Sequence, residues 1–352
     1  MIENYLFFAR KENASDVHLT VDMVPMMRVT GYLEYMSKDP LTKEHLELLI
    51  DELLNKKQKE KLLLGEDVDF AYADSKGQRY RINIYRQRGN FAIAIRLLNS
   101  HIPSLEELGL PSILADIALK QRGLILVTGP TGSGKSTTLA SMIDVINETK
   151  RSHILTLEDP IEYMHKHKKA LVNQREIGVD AYSFAHSLRS ALREDPDVIL
   201  VGEMRDYETM ALALTAAETG HLVLSTLHTT SAAQTIDRII DVFPPNQQNQ
   251  VKSQLSTSLN AIIAQRLLPN IDENNRCAAL EIMINNEATA NMIREGKTYQ
   301  INSVIQTSAN CGMQTMDMAL AKLVLSKNIS IETAIQYCND EDNLKRLIGI
   351  YY

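Results

Sequence analysis

The stretch GLILVTGPTGSGKST, residues 123–137, decides the architecture of this chain. Its first half is an unbroken apolar run. Its second half holds Gly129-Pro130-Thr131-Gly132-Ser133-Gly134-Lys135-Ser136, the spacing G-x-x-x-x-G-K-S. Glycines at 129, 132 and 134 let backbone N–H groups wrap phosphate oxygens. Lys135 neutralises charge at the β- and γ-phosphates, and the Ser136 hydroxyl is a ligand for Mg²⁺. KSTTLASMIDVIN (135–147) reads as a helix, so the loop, with Thr137 at its end, follows a strand and opens a helix. A glycine-rich turn with no ligand is the competing reading, and the strand–loop–helix context speaks against it.

Working outward, three more apolar runs appear: HILTLED (153–159), DVILVGE (197–203) and HLVLSTLH (221–228). Runs without alternation fit strands covered on both faces of a parallel α/β sheet. Helical segments such as YETMALALTAAET (207–219) separate most of them. Each run ends in charged or hydroxylated residues, at the edge where open α/β sheets bind ligands.

Three of those ends carry candidate chemistry. Glu203 lies directly beyond DVILVG, placed to orient water at a γ-phosphate. Gly202 stands where such a strand usually ends in Asp, which leaves Mg²⁺ contact to Glu203 or to water. EDPIE supplies Glu158, Asp159 and Glu162, and the turn at Pro160 lets Glu162 reach back over the phosphates. The competing reading of each acid is a solvated loop carboxylate or a helix cap. His221 and His228 bracket the last run, roughly 23 Å apart on an extended strand, so one metal ion cannot bridge them. A parallel strand puts His228, beside Thr226 and Thr229, at the ligand edge, where it can donate to a γ-phosphate oxygen. His221 falls at the remote edge, as a structural or subunit-contact residue.

The rest of the chain sets the frame. Of 352 residues, 44% are hydrophobic and 23% charged, enough for a real core in two or three domains. The net charge of −7 gives no overall footprint for nucleic acid. Cys277, Cys311 and Cys338 form no CxxC pair, which fits a reducing cytosol and argues against structural zinc. The apolar runs are too short for a signal peptide or a spanning helix, so any membrane role comes through a partner.

Residues 1–98 read as a small α+β domain. Strands are expected at 14–21, 28–36, 79–86 and 91–98, and one helix at 41–63. In RYRINIYR, Tyr80, Ile82 and Ile84 share one face, with Arg79, Arg81 and Asn83 on the other; in FAIAIRLL, Phe91, Ile93, Ile95 and Leu97 oppose Arg96. NSHIPSLEELGLP (99–111) is the expected linker and 112–352 the second domain. After 246 the chain reads as mostly helical except CAALEIMI (277–284), with a helical C-terminal region from about 286.

Together GPTGSGKS, EDPIE, LREDPDVILVGEMRD and TGHLVLSTLHT resemble the type II/IV secretion ATPase superfamily, and within it the twitching-motility, pilus-retraction branch. The likeness runs almost end to end, through ASDVHL, SLEELGLP, NQREIG, RIIDVFPPNQQNQV and GMQTMD. It implies a RecA-like P-loop domain with a mainly parallel sheet, a PAS-like N-terminal domain and a homohexamer that hydrolyses ATP with Mg²⁺. Carried onto this chain, Lys135 and Ser136 match Walker A, Glu162 the water-activating acid, Glu203 the Walker B glutamate, and His221 and His228 the His box. Arg79, Arg81 and Arg96 match arginines that reach the γ-phosphate; surface charge is the competing reading. A cytoplasmic position at the inner-membrane face and an inner-membrane platform protein as partner are also implied. Two features depart from relatives. No tetracysteine insertion is present, and the retraction-linked AIRNLIRE reads ATANMIRE at 288–295. The expectation is an ATPase motor for type IV pilus retraction. A pilus-assembly or type II secretion ATPase is the alternative, a RecA-like nucleic-acid motor a remoter one, and a nucleotide-gated scaffold a third.

Overall fold

The computed structural model describes residues 1–29, 31–98, 101–272 and 275–349. Two compact units emerge: Met1–His101 together with Pro160–Met164, and Ile102–Asp159 together with the chain from His165 on. Asn99 and Ser100, at the start of the expected linker, lie outside the described residues. Leu105 and Leu110 from the remainder of that stretch are buried in the core of the second unit.

The first unit runs α1 (Ile2–Lys11), β1 (Asp16–Thr20), β2 (Met26–Val29), β3 (Tyr32–Tyr35), α2 (Lys43–Leu53), α3 (Lys56–Leu63), β4 (Val68–Ala73), β5 (Arg79–Gln87) and β6 (Asn90–Leu97). Its strands form a six-stranded sheet in the order β3-β2-β1-β6-β5-β4, antiparallel throughout. The expected alternation holds. Tyr80, Ile82, Ile84, Ile93 and Ile95 are buried with Leu46 and Leu49 of α2, while Arg96 on the opposite face is exposed.

Two expectations here need correction. The single helix at 41–63 is two helices, because Asn55 takes an extended conformation and caps α3 in a reciprocal box with Gln58. The single strand at 28–36 is the β2–β3 hairpin around Gly31, pairing Val29 with Tyr32; Thr30 lies outside the described residues. Helix α1 and strand β4 carry no sequence expectation at all. α1 buries only Ile2, Leu6 and Ala9, while Phe7 and Phe8 are exposed, so its apolar residues do not mark out one face.

The second unit continues with α4 (Ile113–Ala118), β7 (Gly123–Thr128), α5 (Lys135–Thr149), β8 (His153–Glu158), β9 (Leu171–Glu176), α6 (Phe184–Ala191), β10 (Val198–Val201), α7 (Tyr207–Glu218), β11 (Leu222–Leu227), α8 (Ala232–Val242), α9 (Pro245–Ser258), β12 (Leu259–Pro269) and β13 (Arg276–Ile284). A helical C-terminal region follows: α10 (Glu287–Glu295), α11 (Ile301–Thr307), α12 (Met316–Leu325), α13 (Ile331–Tyr337) and α14 (Glu341–Leu347). The sheet has seven strands in the order β13-β12-β7-β11-β10-β8-β9. All neighbours are parallel except the β12–β13 pair. Every residue of β7, β10 and β11 is buried, as strands covered on both faces require.

One reading fails in this unit. The stretch after 246 is not mostly helical up to 277, since LNAIIAQRLLP is β12 and lies directly beside the P-loop strand β7. It follows α9 without a glycine or proline break, and its short-range pattern fits a buried helix as well as a strand. Long-range pairing with β7 and β13 settles it. Strand β9, which also carries no expectation, extends the far edge of the sheet.

Candidate active site

The parallel registers fix where each strand ends. Thr128 of β7 lies beside Leu227 of β11, Ser225 beside Val201 of β10, and Val201 beside Leu157 of β8. The loop at Gly129, His228, Glu203 and Glu158 therefore leave the sheet at one rim, in that order across the strands. His221 precedes β11 and sits at the opposite rim. Its ring Nδ1 lies 3.0 Å from the Ala216 carbonyl at the end of α7, a structural contact.

The loop itself is shaped by its glycines. Gly129 has φ +146°, and a Cβ there would lie 2.3 Å from the Gln265 carbonyl oxygen. Gly134, the left-handed residue ahead of α5, has φ +85°. Gly132 has φ +80° with open space around it. Pro130, Thr131 and Gly132 form the exposed crest, Ser133 is buried, and Ser136 is exposed at the first turn of α5. The Lys135 ammonium donates to the carbonyls of Gly129 and Pro130 at 2.8 and 2.9 Å. Those carbonyl oxygens occupy donors that phosphate oxygens would otherwise take. The cradle, the N-terminus of α5 and the lysine fit a nucleotide's phosphates.

Glu203 is 21% exposed and stands between Arg205, whose Nε is 2.7 Å from one carboxylate oxygen, and His228, whose Nε2 is 3.8 Å from the other. Gly202 has a steric reason to be glycine. Its N–H donates to the Leu157 carbonyl at 2.8 Å, and a Cβ would come within 3.2 Å of that oxygen. An aspartate cannot take this place without local movement.

Glu158 is held by its own neighbours. Its Oε1 accepts from the Thr156 hydroxyl at 2.6 Å and from Gln174 Nε2 at 3.0 Å. Gln174 also accepts the His165 N–H at 2.8 Å, so one side chain pins both stems of the 159–164 segment. Asp159 is exposed, and Glu162 lies in the Pro160–Met164 piece that groups with the first unit. Among the described residues no cluster of three or more His, Cys, Asp or Glu could hold a metal. A sparse donor set suits Mg²⁺, which keeps waters and takes phosphate oxygens rather than a protein cage.

The arginines share the open face of the antiparallel sheet. Arg81 and Arg96 are direct cross-strand partners, an arrangement that repels unless compensated. Asp69 takes Arg81 through Nε at 3.1 Å and Nη2 at 2.6 Å. Asp16 takes Arg96 Nε at 3.1 Å. Arg79, at the start of β5, gives its carbonyl to Arg10.

Sequence reading missed Gln265, Gln174 and Glu281. All three lie on strands without a sequence-level function, and only pairing across the fold places them. Glu281 of β13 is 3% exposed and accepts the Ala232 N–H at the start of α8 at 2.7 Å. The Met316 N–H at the start of α12 also donates to it.

Residues 75–346 match the family model described as type II/IV secretion system protein. The chain is 48% identical over 342 residues to the type IV pilus retractation ATPase PilT of Pseudomonas aeruginosa, covering 97% of this chain and 99% of that protein. It is 50% identical over 320 residues to a twitching motility protein of Neisseria gonorrhoeae, covering 91% of this chain and 86% of that protein. A crystal structure of the pilus retraction motor PilT with bound ADP superposes with a TM-score of 0.91 at 48% identity, covering 97% of this chain and 98% of that one. The chain therefore belongs to the type II/IV secretion system protein family.

Proposed function

We propose that this chain is an ATPase motor that drives type IV pilus retraction. The observation that carries the ATPase reading is the single rim shared by the glycine loop, His228, Glu203 and Glu158. The relative named for pilus retraction, matched along nearly its whole length, supports the direction of work. The rim binds the triphosphate through Gly129–Thr137, with Lys135 at the β- and γ-phosphates. Ser136, and Glu203 directly or through water, would hold Mg²⁺, which would neutralise phosphate charge there.

Glu203 orients the attacking water and accepts its proton. Arg205 Nε lies 2.7 Å from one oxygen of that carboxylate, and His228 stands 3.8 Å from the other, ready to donate to the γ-phosphate. Glu162 is a second acid for water activation, and Arg79, Arg81 and Arg96 add positive charge at the γ-phosphate. No helix among the described residues is long and apolar enough to cross a membrane. The working assembly is a homohexamer in the cytoplasm, attached to the inner-membrane face through a platform protein. Phosphate release from ATP by the purified chain, combined with deletion of its gene, tests the reading. Excess surface pili are the expected phenotype. Loss of all pili would assign the chain to assembly instead, and no phosphate release would end the ATPase reading.

A further inference from the structure

We propose that Gln265 is a positioning residue for the phosphate loop, holding both of its ends from beneath. This rests on the nucleotide reading above and adds a residue from a strand outside the motif. Strand β12 is apolar along its buried length: Leu259, Ala261, Ile262, Ile263, Ala264 and Leu268 are at most 2% exposed. Gln265 interrupts that run, is 3% exposed, and has both ends of its amide paired. Nε2 donates to the Ser133 carbonyl at 2.7 Å, and Oε1 accepts from the Thr138 hydroxyl at 2.8 Å. The orientation is fixed by chemistry, since the Ser133 carbonyl can only accept.

The backbone makes a second contact. A Cβ on Gly129 would lie 2.3 Å from the Gln265 carbonyl oxygen, and one on Gly134 would lie 2.9 Å from Gln265 Nε2. Two of the three loop glycines therefore face this one residue, whereas Gly132 meets nothing within 4 Å. Gln265 sits under Gly129 at the entry and ties Ser133 at the exit to Thr138 in α5. Loop N–H groups are thereby aimed before a phosphate arrives, the preorganisation that electrostatic sites depend on.

Gln265→Glu gives this idea a handle that bulk packing lacks. A protonated glutamate keeps the donor toward the Ser133 carbonyl and the acceptor toward Thr138. An ionised one sets negative charge against that carbonyl. Binding of a fluorescent ADP with Mg²⁺ is measured from pH 5.5 to 8.5 on the full chain, with thermal melting to confirm folding. The variant should bind within about threefold of wild type at pH 5.5 and at least tenfold more weakly at pH 8.5. Parallel pH profiles for the two proteins would overturn the proposal.

Thr138→Val, which keeps shape and removes the hydroxyl, covers the case in which Gln265→Glu does not fold. It should weaken ADP binding about three- to tenfold with a melting profile close to wild type. Unchanged affinity in that variant would overturn the proposal. Wild type that binds no ADP would instead sink the nucleotide reading itself.

Discussion

The two sheets of this protein treat charge in opposite ways. The antiparallel sheet is covered on one face, so Arg81 and Arg96 project from within its strands and meet Asp69 and Asp16 on the uncovered face. The parallel sheet is covered on both faces, and its central strands β7, β10 and β11 carry no ionisable side chain. Burying an unpaired charge there would cost several kcal/mol. Chemistry in a doubly covered sheet is consequently driven to the rim, where strands end and polar groups regain solvent. In a singly covered sheet it can sit anywhere along the open face.

The sharpest way to break this contrast lies at the rim. Lys135→Ala should reduce ATP turnover by about three orders of magnitude, since no other cation of the loop replaces it. Phosphate release near wild-type rates would show that the rim is not the reacting site. Glu203→Gln should retain nucleotide binding and lower turnover by about 10²–10³. Comparable turnover in this variant would move the water-activating role to Glu162.

On the open face, Arg96→Ala should lower turnover by roughly 10-fold while shifting the melting temperature little, because an exposed ion pair contributes about 0–1 kcal/mol. An arginine that is surface charge alone would leave turnover unaltered, and the open face would then have no part in the chemistry. The two ends of β11 offer a milder test. His228→Ala should cost about 10-fold in turnover, whereas His221→Ala should act mainly on stability, by about 1 kcal/mol through its lost contact with α7. Equal kinetic losses would mean that both rims matter.

The smallest effect concerns an exception inside the doubly covered sheet. Burial pushes the Glu281 carboxyl above its usual 4.5, outweighing the N–H groups of Ala232 and Met316 that donate to it. The folded state thus holds the Glu281 proton more tightly than the unfolded chain. That stabilisation is fully present below 4.5 and is lost as pH rises through the raised value. Measured against Glu281→Gln, wild type should lose relative stability across that interval. A melting difference that stays flat with pH would show that the carboxylate is fully compensated by its two helix termini.

Much of the candidate site was legible because its signals are local. The glycine loop, the acid after DVILVG and the alternation of Arg79, Arg81 and Arg96 with apolar partners each occupy a few adjacent residues. Periodicity also separated strands covered on both faces from those covered on one. It failed where the deciding contact is distant. The helix at 41–63 breaks at an Asn55 cap that looked like part of a continuous pattern. β12 resembled a helix because nothing between Leu259 and Pro269 states that β7 will pair with it.

By itself the sequence determined a phosphate loop between strand and helix, the run of buried parallel strands and the polar residues at their exits. Tertiary structure alone decided the strand order that lines up those exits. It also decided the position of Glu203 between Arg205 and His228, and the arrival of Gln265 beneath a loop some 130 residues earlier in the chain. The physical reason is the range of the forces involved. Backbone dihedral preference and side-chain periodicity act over a few residues, whereas hydrogen-bond satisfaction in a buried interior is settled only when remote segments meet.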